Sequence, residues 1–161
     1  MTNYFQSFDL TPSFAIDQAA LEARYEQLMV LCHPDKFAGA ATFEQRAAAK
    51  RAADVNEAYG VLRHAVRRAG HLLELQGVDL RELERQPASP DFLYGQMMLR
   101  ERVQDFDSLT SSEASALVSD IESAYSETQN AFVAHYERDD ISGACAKSVS
   151  YTHLTLPTTG I

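Results

Sequence analysis

A histidine and an aspartate two residues apart, His33 and Asp35, are the side chains of this chain best suited to chemistry. An imidazole beside a carboxylate can transfer a proton, help to ligate a metal, or offer a hydrogen-bond donor and an acceptor to a partner. Pro34 lies between them, fixes its own φ and disfavours a helical conformation at His33. The sequence therefore predicts a short, rigid, polar loop that ends a helix and suits docking to a partner.

The residues around this loop favour neither a metal site nor an acid–base catalyst. Cys32 would add a third ligand, but a structural zinc site normally takes four ligands in two close pairs, and Cys145 and His153 form no second pair. No nucleophile, phosphate-binding loop or oxyanion nest accompanies the pair in the sequence. We therefore expect no metal, no cofactor and no catalytic residue. A metal-dependent enzyme that uses the cluster at 32–35 is the alternative of a different class.

Two amphipathic helices flank the loop. The upstream helix carries apolar residues at i, i+4, i+7 and i+11, namely Leu21, Tyr25, Leu28 and Cys32. The downstream helix repeats this spacing with Ala48, Ala52, Val55, Tyr59 and Leu62. Asp17 is a suitable N-cap for the first helix. Together they predict an αα-hairpin with His33 and Asp35 at its tip.

This pattern of helix, His-Pro-Asp loop and helix resembles a J domain, the module with which co-chaperones stimulate the ATPase of DnaK-class chaperones. Within this class, the sequence over about residues 3–147 is most similar to one family, the HscB-type J-domain co-chaperones of bacterial iron–sulfur cluster assembly. The most specific match is HPDKFA at 33–38, and further matches are YF at 4–5, NEAY at 56–59 and LRH at 62–64. The resemblance implies a co-chaperone that is not itself an enzyme.

The resemblance also implies which residues contact a DnaK/HscA-like ATPase chaperone. They are the loop and a basic flank that would face an acidic chaperone surface, namely His33, Pro34, Asp35, Lys36, Arg24, Lys50 and Arg51. Between Arg24 and His33 the helix carries no second basic residue. Docking is therefore expected to be weak or to rely on the other flank.

The second half of the chain begins with a helix from Pro90 to about Asp107, with Ser89 as its N-cap, and this helix is apolar on two sides. One side is predicted to be core and consists of Phe92, Leu99, Val103 and Phe106. The other side is predicted to bind a partner and consists of Leu93, Tyr94, Met97, Met98 and Glu101. The resemblance implies that this side binds the iron–sulfur scaffold IscU, which the co-chaperone delivers to the chaperone. A different client, or packing against the J domain, is the alternative.

Two further helices should complete a bundle. Thr110 and Glu113 form a predicted capping box. The stripe that follows it predicts packing against an antiparallel helix and consists of Leu117, Ile121, Tyr125, Thr128, Phe132 and Tyr136. The last helix is expected after Asp140. It should begin with Ile141, Ala144 and Ala146 and lose its pattern near Ser148.

The predicted fold class is all-α. It comprises a J domain at 1–77, built as a helical hairpin with short flanking helices, a linker at 78–88, and a C-terminal scaffold-binding three-helix bundle at 89–147 whose last helix is truncated or replaced. Residues 148–161 are rich in β-branched residues, contain Pro157 and resemble translated sequencing-adapter sequence. We predict a disordered tail foreign to the fold, with a native strand or binding tail as the alternative.

Composition narrows the classes of partner. A formal charge of −9 opposes nucleic-acid binding, which needs a basic face. No apolar window reaches the length of a membrane span, and no signal-peptide pattern is present at the N-terminus. Two cysteines do not make a disulfide framework. These features predict a soluble intracellular protein without nucleic-acid or membrane partners, and the resemblance implies that it is bacterial and cytoplasmic.

Overall fold

A computed structural model of the chain describes residues 2–37, 39–85 and 90–155, and within these ranges all side chains except those at 34, 84, 91, 92, 107 and 150–155. The α-helices in these ranges are α1 (Gln18–Cys32), α2 (Thr42–Leu62), α3 (Ala65–Leu75), α4 (Leu80–Arg85), α5 (Pro90–Gln104), α6 (Ser111–Glu137) and α7 (Ile141–Thr155). Short 3₁₀ turns lie at Gln6–Phe8, Pro34–Phe37 and Phe106–Ser108. The predicted all-α class is confirmed. The chain divides into two compact units, one ending at Leu75 and the other beginning at Gln76.

The first unit is built on the hairpin of α1 and α2. The Asp17 carboxylate accepts the N–H groups of Ala19 and Ala20 at 2.9 and 3.1 Å, which confirms the predicted cap of α1. The predicted stripes face each other, and their buried members are Leu21, Leu28, Cys32, Ala48, Val55 and Leu62. Tyr25 stacks on Tyr59 with ring centroids 4.1 Å apart. The hairpin is therefore held by its apolar faces along its length.

The segment before α1 and helix α3 close this core. Phe5, Phe8 and Phe14 are buried, as are Ala69, Leu72 and Leu73 of α3. Arg68 is also buried, because its guanidinium donates to the carbonyls of Phe14 and Leu62 and lies 4.9 Å from the centre of the Phe14 ring. A buried cation hydrogen-bonded in this way ties three segments of the chain together.

His71 anchors the N-terminal segment to α3. Its Nε2 accepts the backbone N–H of Tyr4 at 3.2 Å, and its Nδ1 lies 3.3 Å from a Glu74 carboxylate oxygen. An acceptor at Nε2 requires the neutral ring with its proton on Nδ1, which then donates to Glu74. The Tyr4 hydroxyl donates to Glu57 at 2.8 Å and so fastens the same segment to α2. Gly77, at φ 87°, follows the end of α3 in a left-handed conformation that suits glycine.

The second unit is organised by the pair α6 and α7. The predicted stripe of α6 faces its neighbours, since Leu117 and Phe132 are buried and Ile121, Tyr125, Thr128 and Tyr136 are half-buried. The capping box at its start is confirmed: the Glu113 N–H donates to the Thr110 hydroxyl oxygen at 3.4 Å, and the Thr110 N–H donates to the Glu113 carboxylate at 2.9 Å. The Thr110 hydroxyl also donates to that carboxylate at 2.6 Å, and the hydrogen bonds from the hydroxyl and, second, from the N–H lower the pKa of the Glu113 carboxyl. Arg102 of α5 pairs with Asp120 of α6 at 2.8 Å.

A tight connection joins α6 to α7. Asp139 adopts a left-handed conformation at φ 59°, and Asp140 accepts the N–H of Gly143 at 2.9 Å and contacts His135 Nδ1 at 2.7 Å. These two interactions lower the pKa of the Asp140 carboxyl, the backbone N–H more than the histidine. A Cβ at position 143 would lie 2.7 Å from His135 Cε1, so a side chain there would displace the His135 ring from its contact with Asp140.

Two features of the second unit differ from the sequence predictions. The segment predicted as a linker contains α4, because Asp79 caps that helix through the Arg81 N–H at 2.9 Å and Leu83 is buried. Helix α7 continues past Ser148 to Thr155, because the small residues Ala144 and Ser148 are buried in the unit. The predicted apolar residues of this helix were partly wrong: Ala144 is buried and Ile141 is half-buried, but Ala146 is exposed. Residues 156–161 lie outside the described residues, so the predicted tail stays a prediction there.

Candidate partner-binding sites

The backbone of the His-Pro-Asp loop (His33, Pro34 and Asp35) has the predicted geometry. Helix α1 ends at Cys32, which is buried, and His33 is extended at φ −61° and ψ 131°. The turn Pro34–Phe37 follows at once and is closed by a hydrogen bond from the Lys36 N–H to the His33 carbonyl at 3.1 Å. The loop is therefore held at both ends by regular structure, which limits its conformational freedom.

The loop presents the imidazole and the carboxylate outward. Asp35 donates its backbone N–H to His33 Nδ1 at 3.3 Å, and a carboxylate oxygen of Asp35 lies 3.6 Å from the same nitrogen. The two side chains are 57% and 91% exposed. Because Nδ1 accepts a hydrogen bond, the neutral ring carries its proton on Nε2. The pair thus offers a donor and a charged acceptor on a rigid tip, which suits recognition by a partner.

Metal binding by the same cluster conflicts with the packing. Cys32 is 3% exposed inside the hairpin, whereas Asp35 points into solvent. Bringing the thiolate and the carboxylate onto one ion would require unpacking the end of α1. Among the described residues, no group of three or more histidine, cysteine, aspartate or glutamate side chains is placed to hold a metal ion.

Of the four cations predicted to flank the loop, two form salt bridges within the described part of the chain and two do not. Arg24 forms an ion pair with Asp9, and Lys50 pairs with Asp54 at 2.7 Å, which raises the pKa of the Lys50 ammonium. Lys36 and Arg51 are exposed and form no salt bridge within the described part of the chain. Sequence reasoning did not foresee that half of the predicted basic flank is neutralised internally. The spacing of four between Lys50 and Asp54 on one helix was the available signal for that pair, whereas the Arg24–Asp9 pair depends on tertiary geometry.

Apolar residues at the hairpin tip were also missed. Val30, Leu31 and Phe43 are 58%, 59% and 80% exposed. They lie outside the stripes that define the cores of α1 and α2, and this mismatch was the available signal. Large apolar residues off the core face, next to a polar loop, indicate a contact surface.

The face predicted on α5 is exposed. Leu93, Tyr94, Met97 and Met98 are 56%, 62%, 50% and 40% exposed, and Glu101 is exposed beside them. On the predicted core side Leu99, Val103 and Phe106 are half-buried, whereas the Phe92 side chain lies outside the description. The exposure of the predicted partner side agrees with the prediction, whereas the described residues of the predicted core side are only half-buried. The scaffold-binding role of the exposed side stays a prediction.

The architecture defines the class of the first unit. A helical hairpin with an exposed His-Pro-Asp loop, closed by a short N-terminal segment and a third helix, is a J domain. None of the helices in the described ranges has the length and apolarity that crossing a membrane requires.

Comparisons with known proteins define the family. The chain is 46% identical over 103 residues to the co-chaperone protein HscB homolog of Pseudoalteromonas atlantica, covering 64% of this chain and 59% of the relative. It is 38% identical over 125 residues to the homolog of Shewanella woodyi, covering 78% and 71%. No family model matches the chain. The chain belongs to the HscB co-chaperone family.

Solved structures agree with this assignment. The chaperone HscB from Vibrio cholerae superposes with a TM-score of 0.87 at 26% identity, over 97% of this chain and 93% of that structure. Human co-chaperone protein HscB superposes with a TM-score of 0.89 at 25% identity, over 98% and 79%. The sequence match to the first relative spans less than two thirds of its length, as does that to the homolog of Shewanella loihica, at 60%.

Proposed function

We propose that the chain stimulates ATP hydrolysis by a DnaK/HscA-like chaperone and delivers an IscU-like iron–sulfur scaffold protein to it. The observation that carries this proposal is the exposed pair His33 and Asp35 on a rigid hairpin tip. The exposed face of α5 supports the second half of the proposal. The bacterial sequence relatives support a bacterial cytoplasmic location for this activity.

The mechanism is a shift of the chaperone between two conformations. The chain supplies contacts, and the chaperone's own site cleaves ATP. Docking favours the hydrolysis-competent conformation only by the difference in contact energy between the two conformations, and each tenfold shift requires about 1.4 kcal/mol. A rigid donor and acceptor suit this task, because little entropy is lost when the partner engages them.

Holding a scaffold protein on the same chain makes the second encounter intramolecular. A scaffold bound to α5 is delivered together with the loop that triggers hydrolysis, which raises its effective concentration at the chaperone. The proposed scaffold contacts are Leu93, Tyr94, Met97, Met98 and Glu101, and the proposed chaperone contacts are those of the loop together with Arg24, Lys36, Lys50 and Arg51.

The test is single-turnover ATP hydrolysis by an HscA-type chaperone, with and without this chain. We expect His33→Gln to lose at least tenfold of the stimulation while the free energy of unfolding changes by no more than about 0.5 kcal/mol, as is usual for an exposed position. The matched control is Leu93→Ala with Met97→Ala, which should stimulate like the wild-type chain. Normal stimulation by His33→Gln would contradict the proposal.

A further inference from the structure

The tip of the hairpin carries an apolar groove beside the His-Pro-Asp loop. The groove has a volume of about 400 Å³ and is open to solvent. Its lining consists of Leu31, Cys32, Phe37, Phe43, Ala47 and Ala48, with Glu44 and Arg51 also present. Leu31 and Phe43 are more than half exposed, so these walls gain little from the fold of the first unit itself.

The residues that line the groove flank the loop on both sides in the sequence. Leu31 and Cys32 directly precede His33, and Phe37 ends the turn that begins at Pro34. A specific interface covers about 800 Å² on each partner, which is far more than a loop of three residues provides. A partner that engages His33 and Asp35 must therefore extend over neighbouring surface, and the groove is adjoining surface.

The charged residues of the groove indicate which chemical groups of a partner it can bind. The Glu44 carboxylate accepts the backbone N–H of Ala41 at 3.2 Å and is thereby engaged at the start of α2. Arg51 forms no salt bridge with any residue that the structure describes. An apolar side chain with a carboxylate beside it would therefore match both the apolar walls and the unneutralised guanidinium.

The electrostatics of the tip favour the same conclusion. Arg24 and Lys50 are already paired with Asp9 and Asp54, so their attraction for an acidic partner is reduced. Charge alone then contributes less to docking than the number of cations suggests. Burial of apolar surface at the groove would supply affinity that these cations do not.

We propose that this groove is a second docking point for the ATPase chaperone, and that it takes an apolar side chain of the chaperone flanked by a carboxylate that meets Arg51. This inference rests on the proposed function. The loop changes the rate of hydrolysis in the docked complex, whereas the groove sets how tightly the complex forms. The two contributions are therefore separable in a titration.

The test is a titration of ATPase stimulation with Leu31→Ser/Phe43→Ser, read as the concentration that gives half-maximal stimulation and the maximal rate. We expect the half-maximal concentration to rise tenfold or more and the maximal rate at saturation to be unchanged. The control is Val118→Ser, which alters an apolar residue of the second unit that is 44% exposed and should leave both values unchanged. If the double variant loses helicity, Phe43→Ser alone serves, because that side chain is 80% exposed.

Three results would overturn the inference. A half-maximal concentration within twofold of the wild-type value would show that the chaperone does not use the groove. A wild-type dimer in sedimentation that the double variant abolishes, with the titration unchanged, would assign the groove to a second copy of this chain. A wild-type chain that fails to stimulate at all would overturn the proposed function as well, which distinguishes that failure from failure of the groove alone.

Discussion

The two units hold their candidate sites in different ways. In the first unit the loop projects from a hairpin whose core is closed by buried aromatic residues and by the hydrogen-bonded polar groups of Arg68 and His71. In the second unit the candidate face belongs to α5, whose described core-side residues Leu99, Val103 and Phe106 are only half-buried. Function and stability should therefore separate cleanly at the loop and less cleanly on α5.

The largest effect should come from truncating one buried aromatic residue in each unit. Phe5 and Phe132 are both fully buried, and Phe→Ala at such positions costs about 3–5 kcal/mol. We expect Phe5→Ala to lower the stability of the first unit and with it the ATPase stimulation. Phe132→Ala should leave stimulation intact and weaken scaffold binding, as measured by chemical denaturation alongside both assays.

Phe43→Ala is the matched control for the stability measurement alone, because Phe43 lines the proposed chaperone groove. Its side chain is 80% exposed, so the free energy of unfolding should change by no more than about 0.5 kcal/mol. A single unfolding transition that both buried variants shift equally would show that the two units unfold together, and the comparison between them would fail.

The sequence was sufficient for the features that depend on local pattern. The stripes of α1, α2 and α6, the Asp17 cap and the extended conformation before Pro34 follow from spacing and from proline geometry. The burial of Arg68 and His71 could not be predicted, because a polar residue on a helix indicates solvent until its tertiary partners are known. The same limit applies to the pairing of Arg24 with Asp9.

The full length of α7 and the existence of α4 could not be predicted from the hydrophobic pattern either. Helix α7 continues through Ser148 because a serine can occupy a close-packed position that a hydrophobicity pattern assigns to solvent. Helix α4 is too short to show a helical period, and its cap at Asp79 was not recognised in a charged segment. The exposure of the face on α5 agrees with the prediction. Its partner does not follow from the hydrophobic pattern, because that pattern carries no information on the surface of another protein.

The next effect concerns the buried guanidinium. Arg68→Met keeps most of the volume and removes the donors to the carbonyls of Phe14 and Leu62, and each hydrogen bond lost from a charged donor costs about 1.5–3 kcal/mol. Denaturation of this variant measures the loss. Arg67→Met is the control, because Arg67 is exposed on the same helix and should change stability little. Equal stability of the two variants would show that the first unit does not depend on this polar anchor.

A smaller effect is expected at Tyr4. The hydrogen bond to Glu57 raises the pKa of the Tyr4 phenol to about 12 from an ordinary value near 10. Because the folded pKa is the higher one, this stabilisation is fully present below about pH 10 and is lost as the pH rises through about 12. Tyr4→Phe should cost about 0.5–1 kcal/mol at neutral pH, since the bond is exposed.

Absorbance at 295 nm during an alkaline titration checks this assignment. The wild-type chain should show a tyrosine ionisation near pH 12, and that late step should be absent in Tyr4→Phe. Tyr25→Phe is the control, because its hydroxyl donates to the neutral amide of Asn56 at 2.7 Å. Persistence of the late step in Tyr4→Phe would assign it to another residue.

The smallest effect separates the two cations of α2. Arg51→Gln should slow association with the chaperone several-fold at low salt, whereas Lys50→Gln with Asp54→Asn should have less effect, because the Lys50–Asp54 pair is neutral as a whole. Stopped-flow association rates at two salt concentrations compare the variants. Equal slowing by both would mean that the Lys50–Asp54 pair opens on docking.

The most direct test of the division of labour between the two units is the affinity for an IscU-like scaffold, measured by calorimetry. We predict that Leu93→Ala with Met97→Ala weakens scaffold binding tenfold or more, because both side chains are at least half exposed on α5. His33→Gln should bind the scaffold like the wild-type chain. Unchanged affinity of the double variant, or a loss of several kcal/mol of folding stability that accounts for weaker binding, would contradict the account.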